Sequence, residues 1–390
     1  MKNIPREFHA VRGGGRGKEE GKEEDNEEEK ARCEWDFNLT TVVSSNAAVE
    51  VSDTLGVIEF DPCDQLLATG GIARKIRVYS LKSLLPEPSS QALLHPNLVT
   101  HTNACEYYIY TPAKLSSLRW RPDLAGRILG AGDYDGVVTE YDLDRRVAVF
   151  ERDEHGGRRV WSIDYSHGAV PVGASGSDDG TAALWDTRCS GGASVAVLRP
   201  GGSPVCCVEF CPAGGPWIAV GSANRLAYIY DARMTAGPVS VLAGHRRTVS
   251  YVRFMGEREI VTAATDGCLK LWDAAGGRVK RTYKGHVNSR SFVGLSLWRG
   301  GGLVGCGSES NEVFVYDSRW GEPIWVRGFR PTSSPSSSSS RAAGNTSDDR
   351  QFVSSVCWRQ EETGKEQCTL VAGGSDGNLQ VFVGTKKAMS

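Results

Sequence analysis

Histidine, serine and aspartate are the residues that most clearly suggest catalytic chemistry in this 390-residue chain. They occur twice with matched order, as His155, Ser162, Asp179 and Trp185, and as His245, Ser250, Asp266 and Trp272. A Ser/His/Asp set suggests a hydrolase triad, but a triad is needed only once in a protein. A turn aspartate can instead hold the histidine ring, which bonds the serine hydroxyl, which reaches the indole N–H. The recurrence predicts a structural network.

Other chemistries find little support in the sequence. The eleven cysteines are scattered through apolar, strand-like surroundings such as PVCCVEFCP at 204–212. Neither a Cys-x-x-Cys pair nor a Cys/His cluster with zinc-like spacing occurs. No glycine-rich phosphate loop stands between a strand and a helix. We expect reduced thiols, no metal, no cofactor and no enzymatic activity.

The formal net charge of −2 gives no electrostatic attraction to nucleic acid or to an anionic membrane. No run approaches 18 consecutive apolar residues, and the polar N-terminus lacks the apolar stretch of a signal peptide. We therefore expect no nucleic-acid partner, no membrane insertion and no secretion.

The elements that carry these residues repeat along the chain. Aromatic residues close strand-like segments at Tyr79, Tyr141, Trp185, Tyr230, Trp272, Tyr316 and Phe382. The four middle intervals are 42–45 residues, the length of a WD repeat with four strands per blade. The first interval contains a long connection at 82–113, and the last contains a Ser-rich insertion at 331–350. The pattern predicts an all-β, seven-bladed WD40-type β-propeller.

Three regions follow from this pattern. Residues 1–32 are predicted to be a disordered, charged tail, residues 33–385 the propeller and residues 386–390 a C-terminal tail. The last repeat lacks a fourth strand, which the segment EWDFNLTTVV at 34–43 can supply. We expect this strand to close the ring and remove an exposed edge.

Several motifs resemble the WD-repeat domain of plant photomorphogenesis regulators. They are ARCEWDFNL, IEFDPCDQLLATGGIARKIRVYSLKSL, GDYDGVVTEYD, RRVWSIDYS, GHRRTVSYVRF and GSESNEVFVYDSR. The short tail followed by CEWDFNL resembles the plant repressors of UV-B photomorphogenesis, which share a propeller with the constitutive-photomorphogenic ubiquitin ligase. The resemblance covers about residues 31–385. It implies a nuclear and cytoplasmic protein that binds the UV-B photoreceptor and promotes its return to the inactive dimer.

The resemblance also implies a site for Val-Pro peptides on one face of the ring. The matching positions are Lys114, Tyr134, Arg159, Trp161, Arg247 and Phe292. The three aromatic residues would form the Val-Pro pocket, and Lys114 and Arg247 would hold acidic residues that flank it. Two positions depart from the ligase: Ser289 replaces a Glu, and Arg247 replaces a Lys. The loss of the Glu puts identical peptide selectivity in doubt.

Arg188 is a separate candidate. ASGSDDGTAALWDTR, which ends at Arg188, is similar to the box by which WD-repeat receptors dock on a cullin-4 adaptor. LAYIYDAR and VFVYDSR are weaker copies of it. The predicted fold gives Arg188 no role of its own, so it is either a docking residue or ordinary surface charge.

Three hypotheses for the function remain open. The first is a repressor that binds the UV-B photoreceptor, and the second is a cullin-4 substrate receptor that recruits bZIP-type photomorphogenic transcription factors. The third is a general scaffold for light or flowering signalling. The photomorphogenic ligase is a further expected partner of the chain. The first two are compatible, because a peptide and an adaptor could occupy different surfaces.

Overall fold

The computed structural model describes residues 31–45, 52–85, 95–124, 126–168, 171–189, 194–329, 351–360 and 366–387. Of the predicted N-terminal tail, residues 1–30 lie outside these ranges, as do the Ser-rich insertion and the last three residues of the chain. The described helices are α1 (Leu81–Leu84), α2 (His101–Ala104) and a 3-10 turn at Pro122–Leu124. None of them has the length and apolar character needed to cross a membrane.

Strands make up most of the described chain. The first part contains β1 (Trp35–Ser44), β2 (Leu55–Phe60), β3 (Leu66–Gly71), β4 (Lys75–Ser80), β5 (Asn97–Thr100), β6 (Cys105–Tyr110), β7 (Leu115–Trp120), β8 (Ile128–Asp133), β9 (Val138–Asp142) and β10 (Val147–Arg152). The middle part contains β11 (Val160–Tyr165), β12 (Val172–Ser177), β13 (Ala182–Asp186), β14 (Ala196–Leu198), β15 (Val205–Phe210), β16 (Trp217–Ser222), β17 (Leu226–Asp231) and β18 (Ser240–Ala243). The last part contains β19 (Val249–Phe254), β20 (Glu259–Ala264), β21 (Cys268–Asp273), β22 (Arg278–Tyr283), β23 (Leu295–Trp298), β24 (Leu303–Cys306), β25 (Glu312–Asp317), β26 (Pro323–Gly328), β27 (Val353–Trp358), β28 (Gln367–Gly374) and β29 (Leu379–Lys386).

These strands form seven sheets, and each sheet is one blade. The blades in chain order are β2-β3-β4-β6, β7 to β10, β11 to β14, β15 to β18, β19 to β22, β23 to β26, and β27-β28-β29-β1-β5. The first strand of each blade is the inner strand, and residues of these strands line a cavity of about 760 Å³. The predicted seven-bladed β-propeller is confirmed.

The alternating strand directions define two faces. The entry face carries the residues that precede the inner strands and the turns between the second and third strands of each blade. The exit face carries the ends of the inner strands and the residues that follow the third strands. Lys114 and Arg159 directly precede β7 and β11 on the entry face, whereas Arg188 follows β13 on the exit face.

Small residues in the second strands allow the blades to pack closely. A Cβ atom added at Gly132 in β8 would lie 2.7 Å from Val160 of the next inner strand. At Gly176 in β12 it would lie 2.5 Å from Val205. Larger side chains would push the blades apart, because side chains in a packed core already fill the available volume. The small-residue segments of the sequence are therefore a requirement of blade contact.

The N-terminal strand closes the ring as predicted. β1 pairs antiparallel with β29, from Trp35 opposite Lys386 to Val43 opposite Leu379. β5, from the long connection in the first blade, adds a fifth strand in parallel with β1. The antiparallel edge of β29 is therefore covered within the described residues, and the closing blade joins both ends of the described chain.

The histidine networks exist, but the predicted serine links are wrong. In the fifth blade, His245 Nδ1 contacts Asp266 Oδ2 at 3.1 Å, and His245 Nε2 contacts Thr262 Oγ1 at 2.7 Å. Trp272 Nε1 donates to the same hydroxyl at 2.7 Å. Ser250 instead donates to the Ala263 carbonyl. Thr262 takes the link because it lies diagonally across the strand pair from Trp272 on the same sheet face.

The third blade shows the same correction. His155 contacts Asp179 at 2.9 Å and Ser175 at 2.7 Å, whereas Ser162 contacts the Val208 carbonyl of the next blade. Trp185 Nε1 has no hydrogen-bond partner within the described residues. The histidine rings and the hydroxyl groups of both networks are buried inside blades, which fits the structural role predicted for them.

A further buried histidine joins the first and closing blades. His101 Nδ1 lies 2.7 Å from Tyr79 Oη, and its Nε2 lies 2.7 Å from the Gly377 carbonyl oxygen. Burial, reinforced by the nearby Arg77 cation, lowers the pKa of His101 to about 4. Arg77 itself is paired with Asp53. The neutral imidazole of His101 is therefore the form that fits the junction between the first and closing blades.

Thr262→Val tests the corrected network. With Asp266 accepting from Nδ1–H, Thr262 donates to His245 Nε2 and accepts from Trp272, so an isosteric valine leaves two buried polar groups without a partner. We expect a loss of roughly 2–4 kcal/mol in the free energy of unfolding, measured by urea titration at pH 7. Ser250→Ala is the control, with an expected loss of about 1 kcal/mol. Equal losses would restore Ser250 to the network.

His101 predicts an acid sensitivity. Its pKa falls from 6.5 in the unfolded chain to about 4 in the folded one, so the unfolded chain binds the extra proton first. This contribution to stability is fully present above pH 6.5 and is lost as the pH falls toward 4. The free energy of unfolding of the parent chain should therefore decline between pH 6.5 and pH 4. We expect His101→Gln to reduce this decline by on the order of 3 kcal/mol, measured by urea unfolding across this pH range. The exposed His167→Gln should leave the decline unchanged.

Candidate peptide-binding site

Four of the six predicted pocket residues are in ring contact at the mouth of the channel on the entry face. Trp161 stacks on Phe292, with ring centroids 4.6 Å apart and an interplanar angle of 12°. Tyr134 lies 6.4 Å from Trp161, and the Arg159 guanidinium lies 4.0 Å from the Tyr134 ring and 4.5 Å from that of Trp161. The structure therefore brings Tyr134, Arg159, Trp161 and Phe292 into one aromatic cluster, which we call the mouth cluster.

A β-bulge directs Trp161 to the mouth. The register of β11 against β12 shifts between Val160 and Ser162, which leaves Trp161 as the extra residue. Bulges re-aim side chains in this way. The bulged positions of the neighbouring inner strands hold smaller residues, Ser116 and Cys206. Of these three bulged positions, only the one in the third blade holds an aromatic side chain.

Phe292 comes from the opposite side of the ring. It precedes β23 in the sixth blade, which is separated from the third blade by two blades in one direction and three in the other. Its ring also meets Tyr251 of the fifth blade edge to face, with centroids 5.7 Å apart. The contact between Trp161 and Phe292 therefore spans the channel, and it depends on the closed ring.

The two remaining pocket residues lie at the rim. Lys114 is exposed, and its carbonyl accepts the Tyr134 backbone N–H at 2.9 Å. Arg247 is exposed and donates from Nη1 to the Ser289 carbonyl at 3.4 Å. Neither side chain forms an ion pair with another described residue. Both cations thus lie at the rim beside the mouth cluster without an ion-pair partner among the described residues.

Three carboxylates of the entry face are occupied by internal contacts. Asp178 accepts the indole N–H of Trp161, and Asp266 accepts from His245 and from the Arg246 backbone. Glu309 accepts from three neighbouring residues of one loop, Ser289, Arg290 and Ser291. The rim therefore presents cationic side chains to an approaching ligand, a surface suited to acidic groups.

Arg188 is on the exit face, away from the mouth cluster, and its local role differs from the expectation. Its guanidinium clamps the Asp186 carboxylate, with Nε 2.9 Å from Oδ1 and Nη2 2.5 Å from Oδ2. The arginine holds the pKa of Asp186 at about 2. The fold therefore gives Arg188 a partner within its own blade, whereas the sequence pattern had left this residue without a role in the fold.

The same clamp recurs in two other blades. Arg233 grips Asp231, and Arg319 grips Asp317 and also meets Glu34 beside the closing strand. The three arginine side chains are 65%, 72% and 51% exposed, so each retains a surface that a partner can reach. The Asp-x-Arg spacing explains the clamp, because the two side chains lie on either side of a tight turn.

Sequence reasoning missed Asp178 and Glu309, the two carboxylates that contact the mouth cluster or its loop. Both stand seven residues before the aromatic residue that ends the third strand, Trp185 and Tyr316 respectively. Tyr134 occupies the same repeat position before Tyr141. The repeat alignment therefore contained the signal, since this position faces the mouth in three blades. Among the described residues, no cluster of three or more His, Cys, Asp or Glu could hold a metal ion.

Comparison with known proteins identifies the family. The WD domain, G-beta repeat family matches residues 146–186 and 236–273. Each match begins with the outer strand of one blade, β10 or β18, and continues through the first three strands of the next blade, the third or the fifth. WD repeat-containing protein RUP2 of Arabidopsis thaliana is 60% identical over 341 residues, covering 86% of this chain and 89% of RUP2. RUP1 of the same plant is 56% identical over 356 residues, covering 90% of this chain and 86% of RUP1.

This chain belongs to the RUP family of plant WD-repeat proteins. A wider relationship extends to light-signalling proteins that contain additional regions. E3 ubiquitin-protein ligase COP1 of Pisum sativum is 35% identical over 326 residues, covering 84% of this chain but 44% of the ligase. The resemblance to the UV-B repressor family is confirmed, and the chain is a WD-repeat protein of a plant light-signalling family.

Proposed function

We propose that this chain is a non-enzymatic interaction protein that restrains plant UV-B signalling. It binds the UV-B photoreceptor and promotes the return of that receptor to the inactive dimer. The observation that carries this proposal is the mouth cluster with its cationic rim, on a propeller of the RUP family. A scaffold of this kind acts by presenting a binding surface, and the entry face offers one with both aromatic and charged groups.

The peptide that fits this surface carries Val-Pro next to acidic residues. Aromatic faces and edges bind apolar side chains, and a proline costs little conformational entropy when it becomes ordered. The 4.6 Å spacing of Trp161 and Phe292 leaves no room for a prolyl ring between them. The Val-Pro unit therefore packs against the outer side of the stack and Tyr134, while Lys114 and Arg247 attract the acidic flanks.

Other partners follow from the same surface. The photomorphogenic ligase and bZIP-type transcription factors are further proposed partners, since they act in the same signalling system. We also propose nuclear and cytoplasmic localisation, because the chain must reach the compartments that hold the receptor and the transcription factors. A fluorescent fusion of the chain tests the localisation directly.

Dimer recovery tests the proposed activity. The purified chain is mixed with monomerised UV-B photoreceptor, and the dimer fraction is followed by gel filtration over time. We expect recovery to be faster than for the photoreceptor alone. Trp161→Ala should abolish most of the acceleration, because it removes the centre of the mouth cluster. The same rate with and without the chain would rule the activity out.

Trp161→Ala should also weaken the binding of a Val-Pro peptide from the photoreceptor. Loss of a central aromatic anchor costs about 2 kcal/mol or more, roughly a thirtyfold rise in Kd. Isothermal titration calorimetry provides the measurement. Tyr110→Ala is a matched control, since this tyrosine is 80% exposed on the outer strand β6 and lies outside the site. An unchanged Kd for Trp161→Ala would place the peptide elsewhere.

A second function is supported by the exit face. Arg188 follows the Trp-Asp pair of the third blade, is largely exposed and holds its guanidinium in a fixed orientation on Asp186. An oriented guanidinium suits carboxylates and carbonyls of a partner. We propose that Arg188 docks on a cullin-4 adaptor, so that the chain serves as a substrate receptor. Peptide and adaptor would then occupy opposite faces of the ring.

Arg188→Ala tests this docking. We expect the variant to retain less of a purified cullin-4 adaptor in a pull-down, while its affinity for a Val-Pro peptide stays unchanged because the two surfaces are separate. Arg233→Ala is the matched control, since Arg233 makes the same clamp in the next blade without a preceding Trp-Asp pair. Undiminished adaptor binding by Arg188→Ala would remove this residue from the interface.

A further inference from the structure

One repeat position supplies a side chain to the channel mouth from several blades. It is the first residue of the turn between the second and third strands of a blade. Its backbone N–H donates a hydrogen bond to a carbonyl of the segment that leads into the inner strand. The bonds are Tyr134 to Lys114 at 2.9 Å, Asp178 to Arg159 at 3.0 Å and Glu309 to Val287 at 2.8 Å. Tyr134 joins the mouth cluster directly, which leaves the roles of the two carboxylates to be explained.

Asp178 fixes the Trp161 ring. Its Oδ1 atom accepts the indole N–H at 2.5 Å, and its backbone is tied to the residue that stacks on the ring, Arg159. An indole donates a single hydrogen bond, so this contact selects one orientation of the half-buried ring. Trp161 is therefore held in the plane in which it meets Phe292.

Glu309 fixes the loop that carries Phe292. Its carboxylate accepts from Ser289 Oγ and from the backbone N–H groups of Arg290 and Ser291, each at 2.7 Å. Partial burial opposes ionisation, but these bonds outweigh it and lower the pKa of Glu309 to about 2. Phe292 is the next residue of the loop. Three charge-assisted bonds thus set the position of the backbone just before the ring.

We propose that Asp178 and Glu309 are positioning residues of the peptide site. Each locks one half of the stack between Trp161 and Phe292, so that the binding surface exists before the peptide arrives. Ordering the rings in advance removes an entropic cost from binding. This inference rests on the proposed peptide function of the entry face, and it adds two residues that never touch the peptide.

Electrostatics alone predicts the opposite effect. Both carboxylates lie on a face whose rim carries Lys114 and Arg247, so removing a negative charge there strengthens the attraction for an acidic peptide. Positioning instead predicts weaker binding when the hydrogen bonds are lost. The sign of the change in affinity therefore separates the two explanations.

The test compares alanine with amide substitutions. Asp178→Ala and Glu309→Ala remove the acceptors, whereas Asp178→Asn and Glu309→Gln remove the charge but keep an acceptor oxygen. We expect the alanine variants to raise the Kd of a Glu-flanked Val-Pro peptide roughly five- to tenfold in calorimetry, with the amide variants within about twofold of the parent. An equal or tighter affinity in the alanine variants would overturn the proposal.

Two controls address charge and repeat position. Asp135→Ala removes an exposed entry-face carboxylate that makes no side-chain hydrogen bond with a described residue. Thr265→Ala changes the corresponding repeat position in the fifth blade. Both should leave the Kd for an Ala-flanked Val-Pro peptide unchanged. If Glu309→Ala fails to fold, Ser289→Ala removes one of the three bonds and should raise the Kd about twofold to threefold.

The indole N–H resonance of Trp161 provides a readout without peptide. This resonance is assigned by its absence from the spectrum of Trp161→Phe. We expect its chemical shift to change in Asp178→Ala and to return toward the parent value in Asp178→Asn. An unchanged resonance in Asp178→Ala would refute the positioning of the ring. Absence of peptide binding by the parent chain would instead refute the proposed function, and the resonance would still report whether Asp178 orients Trp161.

Discussion

Closure of the ring is the constraint on which the rest of the structure depends. Trp161 and Phe292 come from the third and sixth blades, and they meet only if all seven blades form a complete circle. The closing blade is assembled from both ends of the described chain by the pairing of β1 with β29. Polar contacts reinforce this seam, including the buried His101 between Tyr79 and the Gly377 carbonyl. An open ring would separate the blades that supply the candidate site.

Repetition lets one structural position serve different purposes. The buried network occupies the fifth blade in its full form, with Thr262 linking His245 and Trp272. In the sixth blade, His286 contacts Tyr316 instead, and burial lowers the pKa of this histidine to about 4. Blades can therefore vary in detail while the period is kept. The same freedom allows the turn position to hold an aromatic ring in one blade and a carboxylate in another.

The two faces of the propeller divide the chemistry. The entry face combines an aromatic cluster with exposed cations at its rim, whereas the exit face displays arginine side chains clamped to aspartates. The antiparallel order of strands produces this division, since residues before an inner strand and residues after a third strand must lie on opposite sides. The chain therefore carries two chemically different surfaces on opposite sides of the ring.

The sequence alone determined the seven repeats, the closing strand and the positions of the aromatic residues, because strand period and turn residues are local properties of the chain. It also placed Tyr134, Trp161 and Phe292 at the site through a family resemblance. It misassigned the network hydroxyl, because only strand register shows that Thr262 rather than Ser250 faces Trp272. It missed Asp178 and Glu309, whose contacts depend on neighbouring loops. The stack across the channel was decided by tertiary structure, since it requires a distance between side chains of two remote blades that sequence spacing does not contain. The clamp of Arg188 on Asp186 is instead a local contact that the Asp-x-Arg spacing allows.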